Sequence, residues 1–193
     1  MKREKAKKDA GSIFNPVMYL AILVLTIQLM LIFVSYRRMM WLSEAVTDAM
    51  TDALLGAAVL NEEELYRYGK NGEIEVLNPK DKCDVFKDLL RTELGLSASL
   101  SAVGGSIPLI EGSVKIEDFL VYSIKGNDVT LYNFDESGAY ETVYYDGQAG
   151  VLEAPNGMVV EGCSLYAEIG FNVKYMGIPV RVSRYHMVDI IVK

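Results

Sequence analysis

The residues best suited to chemistry in this 193-residue chain are few: one histidine, His186, and two cysteines, Cys83 and Cys163. Imidazole and thiolate groups make metal sites or nucleophile–base pairs only where several converge. His186 sits in RVSRYHMVDIIV, with no second histidine and no cysteine pair to complete a metal set. A structural place in a final strand is expected for it. Nothing local brings either cysteine beside it for Cys–His catalysis. Gly104-Gly105 is a flexible spot, without the lysine and hydroxyl residue of a phosphate loop. Carboxylates are plentiful, but they fall in turns or opposite apolar positions, as on a solvated face. Tyrosines such as Tyr122, Tyr144 and Tyr166 suit strands by β-propensity alone. The expectation is a protein that is not an enzyme, with no catalytic residue, no cofactor and no metal site.

The elements around these residues begin with VMYLAILVLTIQLMLIFV, residues 17–34, interrupted only by Thr26 and Gln28. No charge occurs between Asp9 and Arg37. A helix from Ile13 to Tyr36 would span roughly 35 Å, enough for the ~30 Å hydrocarbon core of a bilayer. Asn15-Pro16 reads as its start, with Asn as N-cap and Pro at the first helical position. The leader MKREKAKKD carries five basic residues against Glu4 and Asp9, which puts the N-terminus on the cytoplasmic side. Arg37 and Arg38 then lie among headgroups. The apolar run exceeds a cleavable secretory core and is followed by SYRRMMW, so a retained signal-anchor in a single-pass protein of the cell membrane is expected.

Beyond Arg38, the pairs Ser43/Glu44, Thr47/Asp48 and Thr51/Asp52 recur every four residues between apolar positions. That pattern predicts an amphipathic extension of the helix to about Leu60. Ala45, Ala49 and Ala53 form a ridge of small residues. Two readings stand for it: packing on a partner helix, or cover for the protein's own domain.

Residues 61–193 hold 12 Lys/Arg against 21 Asp/Glu, a net charge of −9. Nucleic acid is therefore excluded as a partner. Asn61–Gly69 predicts a short helical turn, and 70–79 a turn and a short strand. In 80–94, Val85, Phe86, Leu89, Leu90 and Leu94 share one helical face that stops at Gly95. From about Ile107 the chain reads as β, in segments bounded by Gly126-Asn127-Asp128, Asp135 to Gly138, Asp146-Gly147, Asn156-Gly157 and Gly177. The fold class is α+β: a long N-terminal transmembrane-to-amphipathic helix, then a small domain with one or two helices and an antiparallel sheet of about five or six strands. The divisions are a basic cytoplasmic leader (1–11), a transmembrane helix (12–36), an amphipathic extension (37–60) and an extracytoplasmic domain (61–193). In an oxidising compartment Cys83 and Cys163 have one pairing open to them; two buried thiols is the rival reading.

The leader KREKAKKDAG, the helix IFNPVMYLAILVLTIQLMLIFVSYRR and its continuation LSEAVTDAMTDALLGAA give an order of parts that resembles type IV pilin-like proteins. Within these it looks like the TadE-like minor pseudopilins of tight-adherence (Tad) pilus systems. The resemblance covers residues 1–60 well and the rest loosely. It implies a non-enzymatic membrane component of a Tad-type pilus or secretion assembly, with other pilin-like or assembly-platform proteins as partners. It also implies prepilin-type cleavage between Gly11 and Ser12. Such proteins commonly carry Glu five residues into the mature chain; here that position is Pro16, so the charge pairing attributed to that carboxylate is absent. The reading of a different class is a single-pass anchored ligand-binding or sensory domain, with the helix as a tether only.

Overall fold

The structure, a computed structural model, describes residues 2–103, 110–135, 137–175 and 178–190, with side chains from Asn15 onward. It has three helices, α1 (Lys2–Ala58), α2 (Glu62–Asn71) and α3 (Pro79–Leu94). Five strands follow: β1 (Ile110–Lys125), β2 (Asp128–Phe134), β3 (Tyr140–Tyr145), β4 (Ser164–Tyr175) and β5 (Ile178–Asp189). The expected α+β class and antiparallel sheet are present. The chain divides into two compact units, Met1–Trp41 and Leu42–Lys193.

In the first unit, every described residue from Asn15 to Val34 is exposed, on all faces of the helix. Asn15–Ala58 is the one helix among the described residues long and apolar enough to cross a membrane. Thr26 does not leave its hydroxyl open, because Oγ1 donates to the Ile22 carbonyl at 2.8 Å. The helix does not start at Asn15: α1 already runs from Lys2, with Pro16 inside it. Lys, Arg, Glu and Ala, all strong helix formers, make up most of the leader, with Asp9 and Gly11 the weak ones, and this outweighs one backbone hydrogen bond lost at the proline.

In the second unit the strand order is β3-β2-β1-β4-β5, all neighbours antiparallel. Alternation puts Phe119 and Val121 on one face with Leu165, Ala167, Ile169 and Phe171. Phe86 of α3 stacks on Phe119 at 5.1 Å between ring centroids, and Phe119 meets Phe134 edge-on at 5.7 Å. On the same face Arg184, opposite Ile169, donates to Ser43 Oγ on α1 at 2.6 and 3.0 Å. The α1 residues Leu42, Val46, Met50, Ala53 and Leu54 are all buried. The other face carries Leu120, Tyr122, Val129, Tyr166 and Met187, covered by Ala154 and Val160 from the 146–163 connection. Gly56 lets α3 approach α1 closely, since a Cβ there would overlap the end of the Leu89 side chain.

Several boundaries differ from expectation. α2 runs past Gly69 to Asn71, and Asn71-Gly72 ends a helix where a turn was expected: Gly72 takes the left-handed conformation, φ 74°. Its start is a capping box between Asn61 and Glu64. Residues 72–78 are not a strand. Their backbone is held instead by side chains, Leu77 N–H donating to Glu64 at 3.2 Å and the Ile74 carbonyl accepting from Cys163 at 3.4 Å. The segment 151–160 forms only an isolated bridge, Glu153 to Val159, so the described residues hold five strands. The expectations for Gly104-Gly105, Ile107, Glu136 and Gly177 lie outside the described residues.

A buried ion pair joins the helices. Lys82 Nζ lies 2.9 Å from Glu64 Oε2, with both side chains withdrawn from solvent, and also donates to the Val59 carbonyl at 2.6 Å. Lys82→Met strands the Glu64 carboxylate, a change that costs about 3–5 kcal/mol. Urea unfolding of the detergent-solubilised chain should show that loss, and a smaller one for Glu64→Gln/Lys82→Met. If Lys82→Met moves the midpoint no further than the exposed change Glu93→Gln, the pair is not holding the helices.

Candidate functional site

Glycine and serine at 11–12 lie in the helical backbone of α1. Ala49 and Ala53 are buried within the second unit and Ala45 is half-buried. Of the two readings of that ridge, the structure has the protein's own sheet domain beneath it. The burial of Ala49 and Ala53 favours the reading of the ridge as cover for the protein's own domain. The outward stripe of this stretch is acidic, with Glu44, Asp48 and Asp52 exposed.

Cys83 and Cys163 are both free and buried, which is the two-thiol reading and not the disulfide. The Cys163 sulfur accepts from the Ile124 N–H at 3.2 Å and donates to the Ile74 carbonyl. Burial pushes both thiol pKa values up, so neither is a ready thiolate nucleophile. His186 is half-buried on β5, across from Ala167. Among the described residues no group of three or more His, Cys, Asp or Glu is placed to hold a metal ion.

Strand register makes a carboxylate pair that spacing in the sequence did not reveal. Asp118 lies directly opposite Glu168, and the β1 irregularity between Ile116 and Asp118 sets Glu117 beside them. Tyr166 donates to Glu168 Oε2 at 3.3 Å and stacks on Tyr185. Glu117 is bridged to Arg181. Burial, then the charges of Glu168 and Glu117, raise the Asp118 pKa. Burial also pushes Tyr122 up to about 12. An open groove of about 550 Å3 runs from Glu117 and Asp118 past Asn133 to Tyr140 and Glu141. Asp135 at its rim is spent on its own turn, accepting from Ser137 and Ala139, which lowers its pKa. The groove is acidic and lacks a nucleophile with an adjacent base.

The apolar helix carries one carboxamide, Gln28. Among the described residues Gln28 is exposed and has no hydrogen-bond partner, in contrast to Thr26. The sequence marks it as a break in the apolar run.

No family model, no curated protein and no solved structure matches this chain.

Two measurements check this description. Native protein should resist alkylation at both thiols, and unfolding without reductant should expose two reactive groups; a need for reductant would restore the disulfide. A carboxyl whose pKa is raised on folding loses stability as pH climbs through the raised value. Asp118→Asn should therefore raise the unfolding midpoint at neutral pH, with the gain vanishing as pH falls below the ordinary aspartate value of 3.8. A gain that persists unchanged in acid would assign it to another cause.

Proposed function

We propose that this protein is a non-enzymatic, membrane-anchored assembly component of pilin-like organisation, such as a minor subunit of a Tad-type pilus or secretion machine. The N-terminus would be cytoplasmic and the sheet domain extracytoplasmic. The observation that carries this reading is that one helix supplies both the apolar membrane segment and the domain's core strip. Trp41 and Leu42 are consecutive residues of α1, and from Leu42 the helix is buried in its own domain. A tethered sensor needs only an anchor and a linker; here no linker separates the two.

Gln28 supports the same reading. A carboxamide is both donor and acceptor, and in hydrocarbon its satisfaction comes from another helix. Such bonds contribute about 0.6 kcal/mol on average and up to about 1.7 kcal/mol. The Gln28 surface would thus be a place for a partner helix in the membrane segment.

The first test is the intact mass of the protein from native membranes. The expected species begins at Ser12, cleaved after Gly11. A chain keeping residues 1–11 would move the reading to an anchored binding domain. In the same membranes, Gln28→Leu should lower disulfide crosslinking between cysteines introduced at Val24 of two helices while leaving insertion intact. Unchanged crosslinking would remove Gln28 from the interface.

A further inference from the structure

Within the second unit, the outward face of α1 changes character along its length. Glu44, Asp48 and Asp52 are exposed. The outward positions that follow are apolar, with Leu55 46 % exposed and Val59 65 %. Glu44, Asp48 and Leu55 fall in one helical row, at spacings of four and seven residues, and Asp52 lies beside them.

α3 widens the apolar end of this face. Two contacts fix how it lies on α1. The end of the Leu89 side chain closes over Gly56, and Lys82 donates to the Val59 carbonyl at 2.6 Å. The order of these contacts makes the two helices antiparallel. Val85, three residues past Lys82 and four before Leu89, stands on the same side of α3 between them and is 42 % exposed. Leu55, Val59 and Val85 therefore meet along the α1–α3 seam, with half-buried Leu89 as its floor. One exposed aliphatic residue is ordinary, whereas three that meet at one seam form a patch.

The rim of the seam is acidic. On α3, exposed Asp81 and Asp88 lie four residues before Val85 and three after it, so they flank it. Asp81 accepts from Asn78, and Asp88 lies 3.4 Å from Arg91. Helical spacing turns Lys80 and Lys87 to the other side of α3. On α1, no described residue forms an ion pair with Glu44, Asp48 or Asp52.

We propose that the α1–α3 seam is a docking groove for a basic amphipathic helix of another protein. Charge selects this occupant. A second copy would bring a domain of net charge −9 against an acidic rim, and like charges oppose that contact. A helix that lays aliphatic side chains over Leu55, Val59 and Val85, and lysine or arginine toward Asp48 and Glu44, matches both parts of the surface. Asp48 and Glu44 lie seven and eleven residues from Leu55, about 10 and 16 Å along α1. The basic residues of the partner therefore follow its aliphatic ones by two to three turns. The groove belongs to the domain alone, so its use depends neither on how α1 meets the bilayer nor on the Gln28 contact.

The test uses the full-length chain in its native membranes. The photo-crosslinking residue benzoylphenylalanine replaces Leu55 and, separately, Val85, with exposed Tyr144 on β3 as the control site. Light should join both seam positions, and not the control, to one protein. The crosslinked peptide, sequenced by mass spectrometry, should carry aliphatic residues at helical spacing and lysine or arginine two to three turns away. Asp48→Lys/Asp52→Lys should lower the yield at Val85 by about tenfold or more, and salt at about 0.5 M should lower it in the native sequence. If the charge reversal also shifts the urea midpoint, Asp48→Asn/Asp52→Asn decides, since it removes the charges without reversing them. Adducts between two copies of this chain overturn the assignment, as do adduct peptides without basic residues. A yield indifferent to both aspartate variants overturns it too, and so does the absence of protein adducts at both seam positions.

Discussion

The pairing of Lys82 with Glu64 is the interaction on which the helical layer depends. Glu64 caps its own helix through Asn61, accepts from Leu77 and meets Lys82; Lys82 also donates to the Val59 carbonyl, just past the end of α1. Four segments that share no regular hydrogen bonding are thereby held at one point. A buried ion pair adds little net energy over an apolar pair of equal volume. An apolar pair, however, would leave the Leu77 N–H and the Val59 carbonyl without these partners, and buried backbone groups are costly to orphan. The pair's contribution is thus to fix where α2, α3 and the 72–78 segment meet, more than to deepen the core.

With that point fixed, α1 can serve two solvents. From Val17 to Val34 its side chains are apolar on nearly every face, which water does not favour and hydrocarbon does. After Trp41 it becomes a strip with alanines and Gly56 inward and Glu44, Asp48 and Asp52 outward. The small residues bring the helix close to the sheet and to Leu89, so aromatic residues such as Phe86 and Phe119 fill the remaining space. Small on the helix and large on the sheet is one solution to packing at native density.

What the sequence made legible were the features decided locally. The apolar run, the stripe of α3 with Gly95 as its stop, and the β character after residue 110 depend on periodicity and composition, and they are present. The features decided by partners were not legible. Ile74 and Val76 alternate like a strand, but the Leu77 N–H is held by Glu64 and the Ile74 carbonyl by Cys163 in place of a sheet neighbour. Glu153 to Val159 likewise folds back on itself across Gly157 and lends Ala154 and Val160 to the core in place of a sixth strand. The Asp118–Glu168 pair exists only through register, 50 residues apart in the chain. The Asn61-x-x-Glu64 box was readable, and it would have extended α2.

The sheet is covered unevenly. Near Cys163 and Val129 both faces are buried, one by α3 and its neighbours and the other by the 146–163 connection. Toward Ile178 the second cover is gone, and β5 is an edge strand twelve residues long. Such an edge in water invites strand pairing with other chains. Pro179 near its start, and Arg181 and Arg184 along it, oppose that pairing, since proline lacks a donor and the guanidinium groups resist desolvation. They do nothing to hide Ile178 and Val180. The edge is thus guarded against strand pairing by proline and arginine, while two aliphatic side chains at its start stay open.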